Sequence, residues 1–351
     1  MSEPSPKKRG ALVVRPLGGL NDVLCQIEFA RRVSVKTQRR FAIQTETGSN
    51  DLTYRFSQSF DSIFEFIDGT SYIVRKDLTN MLLASGSVFP AFYGSPSRLL
   101  EGSLADITNG QHTRYQIAPR GHENFDVIVH ESWGGGRLGM RLIGRIALTE
   151  EFSSRVFGAI NELPKNATGV HFRNSDYRSD LKALNNLVRT AGKVGPIVIA
   201  TDDDSVLEFL RVKNSSIEIY SASDLIRSDA KFSIIETALA QLFVLALCDN
   251  LVLVPLEKGQ SARFSGYGLL AKSIWATRKL NTDGLIPLFW SNIRFFSLLL
   301  LSNLRNIQRW VRVNSWWDPL ARAVFILGQA RNPKGLYRQA IDFYLQRLIS
   351  R

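Results

Sequence analysis

Gly169-Val170-His171-Phe172-Arg173-Asn174-Ser175-Asp176-Tyr177 is an apolar run that closes on a His-x-Arg-x-x-Asp cluster. The run reads as a strand that hands three polar groups to a loop. Arginine is suited to gripping a diphosphate, because its planar fork donates several hydrogen bonds at once. The plain alternative is a surface loop in which Arg173 pairs with Asp176. The chain on either side decides between the two.

Downstream, Leu181–Ala191 has helical spacing and stops before Gly195-Pro196. Residues 197–200 are a strand of β-branched type, followed by Thr201-Asp202-Asp203-Asp204 and a helix over 205–210 whose acidic start suits the helix dipole. Residues 217–220 read as a strand, 233–248 as a strongly apolar helix, 250–254 as a buried strand and 262–274 as a helix. Upstream the same logic holds. Residues 11–15 are an apolar run, Pro16-Leu17-Gly18-Gly19-Leu20-Asn21-Asp22 is a glycine turn, 23–35 has helical spacing and 41–44 is a strand. Short elements fit 63–66 and 72–74, and residues 84–124, rich in Gly, Ser, Pro and Asn, read as long loops. A strand over 125–130 leads to Glu131-Ser132-Trp133-Gly134-Gly135-Gly136. Strand, turn, helix, strand is the order of an open parallel sheet. The expected fold class is therefore α/β: two Rossmann-like domains facing a cleft, parted near 150–166, with ligands at the carboxyl ends of the strands. The expected domains are residues 10–160, 165–282 and a helical tail over 285–351.

Four segments in this order resemble the GT-B fucosyltransferases, a group that includes bacterial α1,2- and α1,6-enzymes and protein O-fucosyltransferases. Arg15-Pro16-Leu17-Gly18-Gly19-Leu20-Asn21-Asp22 is similar to their N-terminal Gly-Gly-Leu-Asn loop. The His171–Tyr177 stretch is similar to their His-x-Arg-Arg-x-Asp segment, with Asn174 at the second Arg. Ala200-Thr201-Asp202-Asp203 matches an Ala-Thr-Asp-Asp that follows a strand. Cys248-Asp249-Asn250 with Phe264-Ser265 and Ala271 is similar to the third, where hydroxyls and amides hold the β-phosphate. In this chain Ala262-Arg263, with Ser261 just upstream, stands in place of the usual Ser-Ser, and Gln241 stands where the family has a guanine-reading Asp. A Gln amide offers one acceptor oxygen where a carboxylate offers two.

The resemblance implies an inverting glycosyltransferase that moves a sugar, fucose from GDP-fucose, onto a glycan, with no essential metal and no cofactor beyond the donor. Arg173 would stabilise the leaving diphosphate, since a fixed cation acts on charge that grows in the transition state. His171, Asp176, Asp202, Asp203, Gln241, Ser261, Arg263, Phe264 and Ser265 would shape the nucleotide-sugar site. Gly18, Gly19, Asn21 and Asp22 would face the cleft from the other domain. Asp22, Glu131 and Asp180 are the candidates for a general base, and the 134–136 glycines for an acceptor loop. Two other readings stay open at this point. Asp202 and Asp204 form an Asp-x-Asp after a strand, which holds a metal–diphosphate in GT-A enzymes because hard cations prefer carboxylates. The chain also fits a non-catalytic nucleotide- or glycan-binding protein.

Composition narrows the setting. The 351 residues are 44% hydrophobic and 22% charged, which suits globular domains. Two cysteines, Cys25 and Cys248, form neither a disulfide framework nor a metal spacing, and the polar start of the chain lacks the apolar core of a signal peptide, so a cytoplasmic protein is expected. The net charge is +12, and residues 285–351 hold ten Lys/Arg against Asp318 and Asp342 together with Trp290, Trp310, Trp316 and Trp317. That tail is too interrupted to span a bilayer. Basic, Trp-rich helices suggest an anionic membrane face, with Arg305, Arg309 and Arg312 at the headgroups, and with it a lipid-linked acceptor and a role in surface polysaccharide synthesis. No nucleic-acid-binding motif is present.

Overall fold

The computed structural model describes residues 10–45, 60–100, 124–133, 136–174, 178–257, 264–282 and 333–349. The chain forms two compact units, Met1–Phe152 and Ser153–Arg351. Both are mixed α/β with parallel sheets, as the strand–turn–helix order implies.

The first unit begins with β1 (Ala11–Leu17), buried along its whole length. Gly18 turns the chain at φ +101°, where a Cβ would lie 2.8 Å from Asp22 Oδ2, so the position requires glycine. Helix α1 (Leu20–Thr37) follows directly, started by the Gly19 N–H donating to Asp22 Oδ2 at 3.3 Å and ended by Gln38 in the left-handed region. The helix is longer at both ends than its apolar spacing predicts, because this cap and stop are backbone features. Next come β2 (Arg40–Ile43), the one-turn α2 (Phe60–Ile63), β3 (Phe64–Phe66), α3 (Arg75–Ala84), β4 (Val88–Phe89), β5 (Val127–Trp133), α4 (Leu138–Leu142) and β6 (Ile146–Leu148). The main sheet has the order β2-β1-β5-β4, all parallel, while β3 and β6 pair antiparallel. Pro16 sits inside β1 without breaking it. β2 ends opposite Val14, so the missing N–H of Pro16 falls beyond that ladder.

In the second unit α5 (Glu150–Gly158), within which the division between units falls, is followed by β7 (Thr168–Phe172), α6 (Leu181–Ala191), β8 (Ile197–Thr201), α7 (Asp204–Lys213), β9 (Ile219–Ser221), α8 (Ile234–Leu247), β10 (Asn250–Leu253), α9 (Gly266–Thr282) and α10 (Gly335–Ile349). The sheet order is β10-β7-β8-β9, all parallel. The chain runs outward from β7 to β9 and then crosses back to the far side of β7. This makes the β7/β10 junction the topological switch point, where open sheets bind ligands. Alternation along β7 divides its two faces. Val170 and Phe172 join the core built with Leu184, Leu187, Val206 and Leu210. Gly169 and His171 take the other face. A Cβ on Gly169 would lie 3.2 Å from both the Leu245 carbonyl oxygen and Cys248 Sγ, so the glycine lets the end of α8 pack on the strand.

The last helix revises the expectation for the tail. On α10, Leu336, Tyr337, Ala340 and Ile341 are buried. The Tyr337 hydroxyl is 2.8 Å from Ser273 Oγ on α9, and the Arg278 guanidinium lies 4.3 Å from the ring centroid of Tyr344. The Phe343 ring stacks on Phe157 at 4.6 Å, and Arg347 donates to the Asn161 carbonyl at 2.6 Å. This helix is a cap on the second unit, and its apolar face is not available to a membrane. Residues 285–332 lie outside the described part of the chain. Among the described residues no helix is long and apolar enough to cross a membrane, and both cysteines are buried thiols.

Candidate functional site

The carboxyl end of β7 is held from two sides. Behind it, the Arg173 N–H donates to Ser179 Oγ at 3.1 Å and the Ser179 N–H returns to the Arg173 carbonyl at 2.8 Å, closing the loop on itself. The exit of the loop is stitched to the extension of β10, with Asp180 N–H bonded to the Pro255 carbonyl and Glu257 N–H to that of Arg178. On the β8 side, the Asn174 N–H donates to Asp202 Oδ1 at 2.7 Å and its side-chain amide to Asp203 Oδ2 at 2.6 Å. Arg173 is thus presented from a short segment clamped at both neighbours.

His171 faces β10 and α9. Its ring packs on Tyr267 of α9 with centroids 5.0 Å apart, and Gly268 passes so near that a Cβ would lie 3.2 Å from His171 Nδ1. Burial, reinforced by the nearby charge of Arg173 and opposed by that of Asp202, pulls the imidazole pKa down to about 4. At neutral pH His171 is therefore uncharged, and the cation of the group is Arg173.

Ser265 precedes α9 in the N-cap position. An N-cap serine ordinarily accepts a bond from the first turn. Here the hydroxyl is buried and has no hydrogen-bond partner among the described residues, while the Ser265 carbonyl receives the Leu269 N–H at 3.0 Å. A buried hydroxyl left unpaired at the positive end of a 17-residue helix can donate to an incoming oxygen.

The sequence-predicted residues fall into three groups. The structure brings His171, Arg173, Asp202 and Asp203 to the carboxyl edge of the second sheet, with Ser265 and Phe264 at the start of α9. Asp176, Ser261 and Arg263 lie outside the described residues, as do Gly134 and Gly135. Other residues have structural work. Asp203 caps α7, its Oδ1 receiving the Ser205 N–H at 3.0 Å and hydroxyl at 2.6 Å, and these bonds with that of Asn174 hold its carboxyl below the usual range. Gln241 donates to Ser223 Oγ at 2.8 Å beyond β9, the edge strand farthest from β10 in this sheet. Asp204 and Asp202 are exposed, and among the described residues no group of three His, Cys, Asp or Glu could hold a metal ion.

The candidates for a general base are revised. Glu131 is not a solvated acid. It is buried, 3.4 Å from Arg15 Nε on the adjacent strand, and accepts from Tyr93 Oη at 2.8 Å. Asp180 caps α6 by accepting the Ala183 N–H at 2.9 Å, and Asp22 serves the start of α1. Asn21 turns inward, with its amide donating to the Gly136 carbonyl at 3.3 Å. The reading missed Ser179, Tyr267 and Gly268. Only Gly268, a glycine inside an apolar helical run, left a signal of close approach.

Fold and geometry together define an α/β protein of parallel sheets with Arg173 and the start of α9 at a switch point. No protein-family model matches the chain, and no curated protein matches it. Among solved structures it is similar to the fucosyltransferase NodZ from Bradyrhizobium, at 19% identity over 76% of this chain and 93% of that one, with a TM-score of 0.48. It is similar at the same identity to NodZ alpha-1,6-fucosyltransferase soaked with GDP-fucose, over 76% and 92% of the chains with a TM-score of 0.48. POFUT1 in complex with GDP is 9% identical over 76% and 95%, again with a TM-score of 0.48. Likenesses this distant assign no activity to the chain.

Proposed function

We propose that the protein is an inverting, metal-independent glycosyltransferase that moves a sugar, fucose from GDP-fucose, onto a glycan acceptor. The second unit would take the nucleotide sugar and the first the acceptor. The observation that carries this reading is the unpartnered, buried Ser265 hydroxyl at the N-terminus of α9, next to the helix turn that packs on His171 and beside the strand end that presents Arg173.

The chemistry follows from charge. Breaking the bond between the anomeric carbon and the diphosphate loads the leaving phosphate with negative charge while the sugar becomes cationic. Arg173, the first-turn amides of α9 and the Ser265 hydroxyl would oppose that charge in place, with no reorganisation at the moment of reaction. The neutral His171 supports the helix turn without competing for the phosphate as a second cation. Asp202 would meet the sugar or nucleotide, whereas Asp203, engaged as a cap, would act through Asn174 by steadying the loop. Arg263, Ser261 and Asp176 complete the site in this reading.

The identity of the base is tested by titrating the full chain with GDP, UDP, ADP and CMP, each with and without Mn²⁺, and following thermal unfolding. Stabilisation by GDP alone is expected. Stabilisation that requires Mn²⁺ overturns the metal-independent reading, and no response to any nucleotide overturns the transferase. We further propose that residues 285–332, basic and rich in Trp, hold the protein to the anionic inner face of the membrane and so near a lipid-linked acceptor used in polysaccharide assembly. Flotation of the full chain with anionic vesicles should be lost when Arg305, Arg309 and Arg312 are changed to Glu. Retained flotation overturns it.

A further inference from the structure

The first unit contains a cavity of about 770 Å³ whose walls include Arg31, Arg39, Arg40, Gln38, Ser71 and Tyr72. Its size is that of a pocket for a small organic ligand, in the range of about 300–1,000 Å³. Arg40 opens β2 and Gln38 closes α1, so the cavity lies at the amino end of a sheet whose strands all run the same way. The Gly18 turn lies at the opposite, carboxyl end. The cavity is therefore not an extension of that loop.

Its wall is cationic. Arg31 is locked to the buried Glu28, with Nε to Oε2 at 2.8 Å and a second bond at 3.2 Å, so most of its charge is answered inside the protein. Arg39 is tied down, donating to the Phe125 carbonyl at 2.9 Å. The exposed Arg40 side chain makes no hydrogen bond or ion pair among the described residues. Three arginines and one acid, Asp77, line the cavity. A planar guanidinium held at such a wall selects carboxylate or phosphate oxygens. The rest of the lining is unlike a simple ion site. The half-buried Tyr72 offers a ring edge and face, fixed by T-shaped contacts to Phe60 at 6.0 Å and Phe66 at 5.4 Å. The exposed Ser71 hydroxyl and Gln38 amide supply donors and acceptors at the rim. Aromatic surface for the C–H face of a pyranose, neutral polar groups for its hydroxyls and cations for an acidic substituent occur together.

We infer that this cavity binds an acidic saccharide, one carrying a carboxylate or a phosphate, with Arg40 on the anion and Tyr72 against the sugar ring. The site is independent of the donor site proposed above and does not rest on it. Calorimetry on the full chain at low salt tests it with four probes: tri-galacturonate, glucose 6-phosphate, maltotriose and inorganic phosphate. At least one acidic sugar should bind more tightly than both the neutral sugar and phosphate alone, and which of the two it is names the substituent. Arg40→Glu should weaken that binding at least about tenfold, the scale of one lost charged hydrogen bond. Tyr72→Ala should weaken it too, and Arg173→Ala should leave it unchanged. Arg40 is exposed, so its variant is expected to melt with the wild type. The inference is overturned if neither acidic sugar binds, if maltotriose or phosphate alone binds as well, if Arg40→Glu and Tyr72→Ala both bind as the wild type does, or if Arg173→Ala abolishes binding.

Discussion

The side-chain amide of Asn174 donates to the Asp203 carboxylate at 2.6 Å, tying the loop after β7 to the cap of α7. Asn174 is thus a brace of the loop that carries Arg173. Asn174→Ala should lower stability by roughly 1 kcal/mol, the usual net value of such a bond, measured by chemical denaturation. It should also raise the KM for the donor more than it lowers kcat, because the loop that carries Arg173 loses one of the two bonds that tie it to Asp202 and Asp203.

Arg173→Ala should reduce transfer by about 10²–10³-fold, the range for removing one donor to a developing oxyanion. Arg173→Lys should recover part of it, since the charge returns but the fork does not. Single-turnover rates with saturating donor check this. Turnover within threefold of wild type would remove Arg173 from the mechanism.

Ser265→Ala separates a binding hydroxyl from a capping one. Replacing a functioning N-cap serine costs about 1 kcal/mol. The Ser265 hydroxyl has no partner among the described residues, so the variant should unfold at the same denaturant concentration as the wild type or slightly above it. Donor affinity should fall about tenfold. A clear loss of stability with unchanged affinity would return Ser265 to a structural role.

Two histidines make stability depend on pH. Burial lowers His130 and His171 to about 4 each, against an unfolded value near 6.5. Between those values the unfolded chain binds more protons, so stability is full above about 6.5 and is lost as pH falls toward 4. His171→Gln should flatten that part of the curve relative to the wild type. Equal slopes for the two proteins between pH 4.5 and 6.5 would show that His171 does not titrate as its surroundings dictate.

The legible part of this chain was its regular hydrophobic spacing. Residues 181–191 were placed to the residue, because Asp180 caps and the apolar positions are evenly spaced over three turns. Strands β7, β8 and β10 lie within one residue of their expected bounds, since buried parallel strands read as short, mostly apolar runs. What escaped were features made by contact at a distance. Arg15 and Glu131 stand 116 positions apart in the chain yet meet in the strand register, so a candidate general base is buried against an arginine. Tyr267 and Gly268 entered the site only because α9 returns to the switch point. Asp203 was read by its charge, while its neighbours Ser205 and Asn174 determine what that charge does.

Tyr337, wholly buried and bonded through its hydroxyl to Ser273, fastens α10 to the second unit. Tyr337→Ala should destabilise the protein by about 3–5 kcal/mol, as for other large aromatic side chains, and Tyr337→Phe by about 1 kcal/mol, both read from denaturation curves.

The docking of α10 bears on how the chain can be shortened. A protein cut before residue 285, the natural boundary by charge and composition, would lose the cover over Ser273, Arg278 and Phe157. It would expose a fresh greasy face on an otherwise folded body. Such a fragment would cling to vesicles, resins and its own copies for reasons unconnected with the intact molecule. Deletions that keep residues 333–349, or charge changes that keep the whole chain, avoid manufacturing that artefact.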